Sequence, residues 1–186
     1  MQFKIPMFIA LVNCTGLGAR HFVGDEEAAK LFPICGQTIT VKGEATMDRT
    51  YNDFPPISPS IDDENELTYV IPRPGSGTTI FGDCKQVGNW DPKVDEELNR
   101  RMMERIKRWR LAEELRTGKG GDFEVVSSQV GLRPGRKWAP RVETEGKERV
   151  DGVWVVHSYG HAGAGYQSSI GCSEKVAKIV NELGRL

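Results

Sequence analysis

A glycine-rich turn that leads into a helix is the stretch of this sequence best suited to hold a ligand. The glycines lie within residues 160–165, directly after the β-branched and aromatic run at residues 153–156. Ser168 or Ser169 can cap the helix that follows. A helix start offers free N–H groups and the positive end of the helix dipole, and glycines let a ligand approach the backbone closely. The stretch therefore indicates a site for an anionic or electron-rich ligand.

Two familiar phosphate-binding motifs do not fit this turn. A P-loop, G-x-x-x-x-G-K-[ST], needs a lysine, whereas Tyr-Gln-Ser follows at residues 166–168. The dinucleotide fingerprint G-x-G-x-x-G fails at its third glycine, which is Ser168 here and His21 in the earlier stretch at residues 16–21. No true dinucleotide fingerprint occurs in the chain.

Arg133 and Tyr69 could bind a carboxylate. The guanidinium of Arg133 presents a planar fork that suits bidentate carboxylate binding, but a structural ion pair with a partner such as Glu143 is the simpler interpretation from the residues alone. Tyr69 precedes Ile-Pro in a short apolar run and could equally be a core or edge aromatic residue. Both alternatives stay open at this point.

The histidines do not indicate a metal site. His157 and His161 are separated by a turn containing Gly160, so together with Cys172 they do not share one helix face as metal ligands would. We expect both histidines to bond to backbone groups and we expect no bound metal. A G-x-S-x-G nucleophile elbow is also missing from the sequence.

Strands and two helices must position these residues. Asp91 with Pro92 predicts the start of a helix that runs to about Arg116, and a second helix should pack its apolar residues on the preceding strand. The irregular, acidic segment at residues 43–66 predicts a solvated loop, either a lid or disordered. Trp138 and Trp154 are expected to be packed. The predicted strands cover residues 8–12, 35–41, 67–72, 78–81, 123–127 and 153–156, and the packing face of the second helix comprises Cys172, Val176, Ile179, Val180 and Leu183.

Composition limits the class of protein. The 186 residues carry a formal charge of −1, with 38% hydrophobic residues, which argues against a nucleic-acid binder because such proteins usually gather a basic excess. No run approaches the ~18 apolar residues of a membrane span. The four cysteines have no C-x-x-C pairing, which favours reduced thiols.

Several short blocks of the sequence resemble blocks of one protein family and occur in the same order. The sequence resembles the D-amino-acid oxidases, and its fungal branch in particular through Ala164-Gly165-Tyr166-Gln167. The remaining blocks are Val12-Asn13-Cys14-Thr15-Gly16, Gly36-Gln37, Tyr69-Val70-Ile71-Pro72-Arg73-Pro74, Val87-Gly88-Asn89-Trp90, Val130-Gly131-Leu132-Arg133-Pro134, Ala139-Pro140-Arg141-Val142-Glu143 and His157-Ser158-Tyr159-Gly160-His161.

The resemblance implies roles for individual residues. Arg133 would bind the substrate carboxylate in its planar fork, Tyr69 would direct its hydroxyl at the same carboxylate, and Gly163 would lie near the substrate amine. A second active-site tyrosine has no secure counterpart, with Tyr51, Phe54 or Asn65 near its position. The residues implied to contact the cofactor, FAD, are Thr15, Gly16, Ala162, Gly163, Gly165, Tyr166 and Gln167.

The resemblance also implies a fold and a reaction. The fold would be α/β, a partial FAD-binding Rossmann-like domain formed by residues 1–32 and 124–186, with a mixed-sheet substrate domain inserted at residues 33–123. The reaction would be oxidative deamination of a D-amino acid by hydride transfer to FAD, using oxygen and giving a 2-oxo acid, ammonia and hydrogen peroxide. Because the family's fingerprint is missing at the N-terminus, we expect an N-terminally truncated product.

Two alternative functions remain. A D-aspartate oxidase would need a second cationic group, which Arg49 or Arg73 could supply. A non-catalytic fragment that does not hold FAD is favoured by the missing fingerprint. The end of the chain, Gly184-Arg185-Leu186, loosely matches a peroxisomal signal, so we expect a peroxisomal or cytoplasmic protein without nucleic-acid or membrane partners, and the resemblance leaves a homodimer open.

Overall fold

The chain divides into two compact units. A computed structural model describes residues 10–51, 68–146 and 150–184. Unit 1 comprises Met1–Pro33 and Arg133–Leu186, and unit 2 comprises Ile34–Leu132. The contacts therefore divide the chain at 33/34 and 132/133, whereas the expected domain boundaries were 32/33 and 123/124. That these units are a flavin domain and a substrate domain stays a prediction.

The described residues form eight strands, three α-helices and three short 3₁₀ helices at Gly16–His21, Glu113–Leu115 and Ala162–Ala164. In chain order the strands and α-helices are β1 (Ala10–Asn13), α1 (Asp25–Ala28), β2 (Leu31–Lys42), β3 (Arg49–Tyr51), β4 (Thr68–Arg73), β5 (Thr78–Val87), α2 (Glu96–Arg108), β6 (Val125–Arg136), β7 (Arg141–Thr144), β8 (Trp154–Tyr159) and α3 (Ser169–Leu183).

Unit 1 is built on a mixed three-stranded sheet in the order β1-β8-β7. β1 runs parallel to β8, with Asn13 opposite His157, and β7 pairs antiparallel with β8. Helix α3 packs on this sheet because its apolar residues recur every three or four positions. The resulting cluster contains Ala10, Trp154, Val156, Val176, Ile179, Val180 and Leu183. Four of the five residues predicted for the packing face belong to this cluster, and Cys172 lies outside it.

Unit 2 contains most of a five-stranded sheet in the order β3-β4-β5-β2-β6. Strands β4 and β5 form the predicted antiparallel hairpin, and β2 pairs antiparallel with β5. One face of α2 covers the sheet with Met102 and Ile106, both fully buried. They join a core that also includes Ile39, Val41, Ala45, Val70, Phe81, Leu111, Ala112, Leu115 and Phe123.

The N-cap of helix α2 lies four residues later than predicted. The side chain of Asp95 accepts hydrogen bonds from the amides of Glu97 and Leu98, so Asp95 is the N-cap. Asp91 instead accepts a hydrogen bond from the amide of Lys93 in a local turn. The helix ends at Arg108, before the left-handed Arg110 at φ 54°, and a separate 3₁₀ turn follows at Glu113–Leu115.

Two further expectations were wrong. Part of the predicted loop at residues 43–66 is a strand, since Arg49–Tyr51 pairs antiparallel with β4; residues 52–67 lie outside the described residues. Trp154 is buried as expected, but Trp138 is 84% exposed. Trp138 occupies a left-handed turn (φ 72°) between β6 and β7, and its ring lies 5.7 Å from the Lys30 ammonium instead of in the core.

None of the helices in the described ranges is long and apolar enough to cross a membrane.

Candidate functional site

The glycine-rich turn of unit 1 is exposed and leads directly into α3. A left-handed Gly160 (φ 82°) ends β8, and a 3₁₀ turn follows at Ala162–Ala164. Ala162 also adopts a positive φ of 50°, which is unusual for a residue with a Cβ. Ser168 is the N-cap of α3, but its hydroxyl donates to the carbonyl of Ala164 and does not cap the helix. The start of α3 therefore has no side-chain cap, although the Ser169 amide donates to the Tyr166 carbonyl at 3.2 Å.

The predicted cofactor-contacting residues of this turn face solvent to different degrees. Gly163 and Gln167 are exposed, Tyr166 is 94% exposed, and Ala162 and Gly165 are half-buried. A Cβ added at Gly163 would meet nothing closer than Arg133 Cδ, at 3.9 Å. The turn thus leaves room for a flat ligand against its backbone.

Arg133 lies beside Gly163, so the structure brings together two of the three predicted substrate-binding residues. Its side chain is half-buried and, among the residues that the structure describes, it has no hydrogen-bond or ion-pair partner. Glu143, the partner considered for a structural ion pair, instead bonds to Arg141 at 2.9 Å. The Arg133 guanidinium therefore remains available for a carboxylate ligand.

The turn after β1 approaches the same region of unit 1. Gly16 adopts φ 60°, and a Cβ there would lie 3.7 Å from Pro134 Cβ, next to Arg133. The amide and hydroxyl of Thr15 both donate to Asn13 Oδ1, at 3.2 and 2.7 Å. Hence the Thr15–Gly16 turn, the end of β6 and the turn after β8 meet around Arg133 and Pro134.

Tyr69 belongs to unit 2, where it lies on β4 directly opposite Gly82 of β5. Its ring occupies the space over Gly82, because a Cβ at position 82 would stand 1.7 Å from Tyr69 Cζ. Sequence reasoning missed Gly82, although the predicted hairpin contained the signal: a four-residue turn at residues 74–77 places residue 69 opposite residue 82.

Arg136 ties the end of β6 to α1. Its Nε and Nη2 donate to the two carboxylate oxygens of Glu27, at 2.6 and 3.0 Å. The Arg136 guanidinium, with Lys30 and the Tyr159 hydroxyl, lowers the pKa of Glu27 to about 2 against the opposing effect of burial. The same pair raises the pKa of Arg136. This ion pair anchors the segment that carries Arg133 and Pro134.

The expectation that both histidines bond to the backbone was wrong for His157. Its ring bonds to the side chains of Asn13 and Glu145, because β1 and the end of β7 place polar groups on both sides of it. Burial lowers the pKa of His157. His161 precedes the exposed turn, and its buried Nε2 has no hydrogen-bond partner among the residues that the structure describes. The described residues contain no cluster of three or more metal-ligating side chains.

The comparison with protein families identifies the chain. Residues 5–179 match the FAD dependent oxidoreductase (DAO) family. The chain belongs to this family. Proteins of this family depend on FAD, so the cofactor expected from the sequence is confirmed. The expected α/β fold class is confirmed as well.

Curated relatives of the chain are named D-amino-acid oxidase. The sequence is 36% identical to the protein of Fusarium vanettenii over 98% of this chain and 47% of that protein. The proteins of Schizosaccharomyces pombe and Rubrobacter xylanophilus are 35% and 34% identical over 90% and 91% of this chain, and over 45% of their own lengths. The chain spans about half the length of the curated relatives that it matches.

Solved structures with a similar fold are glycine oxidases. The enzyme of Bacillus cereus aligns with a TM-score of 0.66 and 17% identity, over 94% of this chain and 43% of its own. The enzyme of Geobacillus kaustophilus aligns with a TM-score of 0.58 and 19% identity, over 93% of this chain and 41% of its own. These likenesses concern the fold.

The residues present fit one part of FAD. The uncapped start of α3 and the open space at Gly163 suit the polar edge of a flavin ring, as does the buried Nε2 of His161, which has no partner in the described part of the chain. For the ADP half the sequence has no G-x-G-x-x-G fingerprint, and Gly16–His21 forms a 3₁₀ turn. Among the residues considered for a second active-site tyrosine, Phe54, Asn65 and the side chain of Tyr51 lie outside the described residues.

Proposed function

We propose that this chain forms the flavin- and substrate-contacting part of a D-amino-acid oxidase, which deaminates D-amino acids oxidatively. The products would be a 2-oxo acid, ammonia and hydrogen peroxide. The observation that carries this proposal is Arg133, a half-buried guanidinium without a partner among the described residues, beside the open backbone of Gly163. The names of the curated relatives support the same reaction class.

Arg133 would bind the substrate by its carboxylate. Two parallel N–H donors of the guanidinium match the two carboxylate oxygens, which fixes the orientation of the substrate as well as its affinity. Glu143, the carboxylate that could compete with the substrate for Arg133, is bonded to Arg141 instead. Tyr69 would donate its hydroxyl to the same carboxylate, as the resemblance implies.

The turn after β8 would supply the electrostatics of the site. When bound, FAD supplies a two-electron acceptor that takes the α-hydrogen as hydride and passes both electrons to oxygen. The N–H groups at the start of α3 stabilise negative charge nearby, and Gly163 leaves room for the substrate amine. A substrate that binds as the neutral amine needs no protein base, so positioning is the main contribution of these residues.

A D-aspartate oxidase is the rival within this class, and it would need a second cation besides Arg133. Arg49 donates to the carbonyl of Leu111 at 2.7 Å, which commits its guanidinium to holding unit 2 together. Arg73 is exposed and lies on the same face of β4 as Tyr69, since their positions on the strand differ by four. Its guanidinium donates to the hydroxyl of Thr78 at 3.5 Å. Arg73 is therefore the candidate that a D-aspartate preference would require.

Substitution of Arg133 tests the proposal. In Arg133→Met, D-alanine should reduce bound FAD at least ~100-fold less efficiently, because a charge-assisted bidentate interaction worth roughly 3 kcal/mol is lost. FAD affinity should not change. Unaltered reduction by D-alanine in Arg133→Met would refute the role of this residue.

Arg73→Met is the matched control, with the same loss of charge and similar side-chain size. D-alanine should reduce this variant as well as the parent chain. A selective loss of activity with D-aspartate would support the D-aspartate oxidase instead. A homodimer stays a prediction. A peroxisomal location also stays a prediction, and of the three residues of its candidate signal the structure describes Gly184.

A further inference from the structure

A buried polar pair lies behind the Thr15–Gly16 turn. Asn13 at the end of β1 is 8% exposed, and His157 opposite it on β8 is 1% exposed. Asn13 Nδ2 lies 3.3 Å from His157 Nδ1. Burying two polar side chains together is costly unless their hydrogen bonds are complementary, so the protonation of each atom is constrained.

The turn itself determines which way the Asn13 amide faces. The backbone N–H of Thr15 can only donate, and it lies 3.2 Å from the Asn13 side chain, so the atom there must be the acceptor Oδ1. The Thr15 hydroxyl donates to the same oxygen at 2.7 Å. The NH₂ group of Asn13 consequently faces His157, and His157 Nδ1 must accept.

The other side of the imidazole agrees with this assignment. His157 Nε2 bonds to the Glu145 carboxylate, which can only accept while it is ionised, so the ring proton lies on Nε2. Arg141 Nη1 lies 3.2 Å from the same carboxylate oxygen and forms an ion pair with it. Both hydrogen bonds therefore select one neutral tautomer.

We propose that His157, as the neutral Nε2–H tautomer, is the positioning residue that orients Asn13 and through it holds the Thr15–Gly16 turn. Its importance for cofactor binding rests on the proposed function; the positioning itself does not. A proton on Nδ1 would oppose the Asn13 NH₂ group. The amide would then rotate and present Nδ2 to the Thr15 N–H, and the turn would lose its acceptor.

The charged surroundings of the ring bear on its titration. On β7, Glu143 lies opposite His157 in the ladder and bonds to Arg141, and Glu145 follows that strand. On β8, the Tyr159 ring contacts the imidazole edge-on with ring centres 5.4 Å apart. Burial, the largest influence, lowers the pKa of His157 even though Glu145 opposes it, which is consistent with a neutral ring.

The first test needs no substitution and no FAD. Nitrogen-15 NMR of the imidazole in the purified chain near pH 7 should show His157 as a single tautomer, protonated on Nε2 and unprotonated on Nδ1. An Nδ1–H tautomer, a mixture of tautomers or a doubly protonated ring would overturn the proposal.

Two conservative variants then separate positioning from general packing. In His157→Asn, the new side-chain oxygen can occupy the position of Nδ1 and accept the hydrogen bond from Asn13. In His157→Gln, the new amide group reaches the position of Nε2, so it keeps the hydrogen bond to Glu145 and loses the one from Asn13. Hydrogen exchange of the Thr15 amide should accelerate ~10-fold in His157→Gln, which corresponds to the loss of one hydrogen bond, and less than ~3-fold in His157→Asn.

Amides of the β7–β8 ladder, such as Ser158, provide the internal control. They should exchange at similar rates in both variants. Equal acceleration at Thr15 in the two variants, or no acceleration in either, would contradict the positioning role. Neither result would affect the assignment of Arg133, because FAD and substrate are not used.

Discussion

At the scale of single residues, the ring of Tyr69 fills the space that a side chain at position 82 would need. The ring of Tyr69 lies where a side chain at position 82 would begin, with only 1.7 Å between an added Cβ and Tyr69 Cζ. An aromatic ring that covers a cross-strand glycine is a recognised way to pack a sheet. The position of the Tyr69 hydroxyl therefore depends on residue 82 as well as on Tyr69 itself.

The substitution Gly82→Ala should displace the Tyr69 ring and destabilise the chain by about 1–3 kcal/mol, as overpacking generally does. Urea unfolding measures the loss of stability. Gly131→Ala is the control, since it places a methyl group on β6 with no atom within 4 Å and should change stability by less than ~1 kcal/mol.

A double-mutant cycle makes this prediction specific. In a Tyr69→Ala background the ring is gone, so Gly82→Ala should cost less than ~0.5 kcal/mol. An equal cost in both backgrounds would show that the ring is not the obstacle.

Some residue-scale features could be derived from the sequence and others could not. Its motif made Arg133 a candidate whose role stays a prediction, and the register of the β4–β5 hairpin would have identified Gly82. The contact of His157 with Asn13 joins residues 144 positions apart, so it depends on the parallel pairing of β1 with β8. No local pattern around either residue contains that information.

At the scale of elements, the junction of β8 with the exposed turn depends on Gly160. This residue combines a left-handed backbone, φ 82°, with close packing, since an added Cβ would lie 2.6 Å from Arg136 Cβ. Gly152 has nearly the same φ, 83°, and open space around it. The two glycines allow the backbone and packing contributions to be separated.

We expect Gly152→Ala to cost about 1 kcal/mol, the usual strain of a left-handed alanine. Gly160→Ala should cost about 3 kcal/mol, because the clash with Arg136 adds to the same strain. Thermal or urea unfolding of both variants measures the difference. Equal costs would mean that Arg136 moves aside without penalty.

The ion pair between α1 and β6 gives the element-scale pH dependence. The pKa of Glu27 is about 2 in the folded chain and 4.5 for the unperturbed group, so its contribution is present above pH 4.5 and is lost as the pH falls toward 2. Arg136→Met should cost about 3 kcal/mol at pH 7 and flatten the stability profile between pH 4.5 and 2.

Arg100→Met is the control for this prediction. Arg100 bonds to the carboxylates of Glu97 and Glu104, but its side chain is 55% exposed. Its loss should cost less than ~1 kcal/mol. A similar loss of stability in the two variants would contradict a special role for the Glu27–Arg136 pair.

Element boundaries show where local patterns suffice. The spacing of apolar residues predicted α2 and α3 because an amphipathic helix repeats within a few residues. The start of α2 was misplaced since Asp91 and Asp95 are equally good caps in sequence, and only Asp95 directs its carboxylate at the first turn. Strand β3 was missed because the segment around it is polar and its pairing with β4 is not local.

At the scale of the whole molecule, the family is established and the activity of this chain is a proposal. The FAD dependent oxidoreductase match covers residues 5–179, while the chain spans about half of each curated relative. Unit 1 provides a turn that suits the flavin edge, and the sequence contains no dinucleotide fingerprint for the ADP half. Binding of FAD by this chain is consequently the central claim to test.

Titration of FAD with the purified chain, followed by D-alanine without oxygen, tests that claim most directly. We expect a saturable change in flavin absorbance on binding, and then bleaching of that absorbance by D-alanine but not by L-alanine. If FAD shows no saturable change with the chain, or if D-alanine fails to bleach the bound flavin, the chain does not perform the proposed reaction.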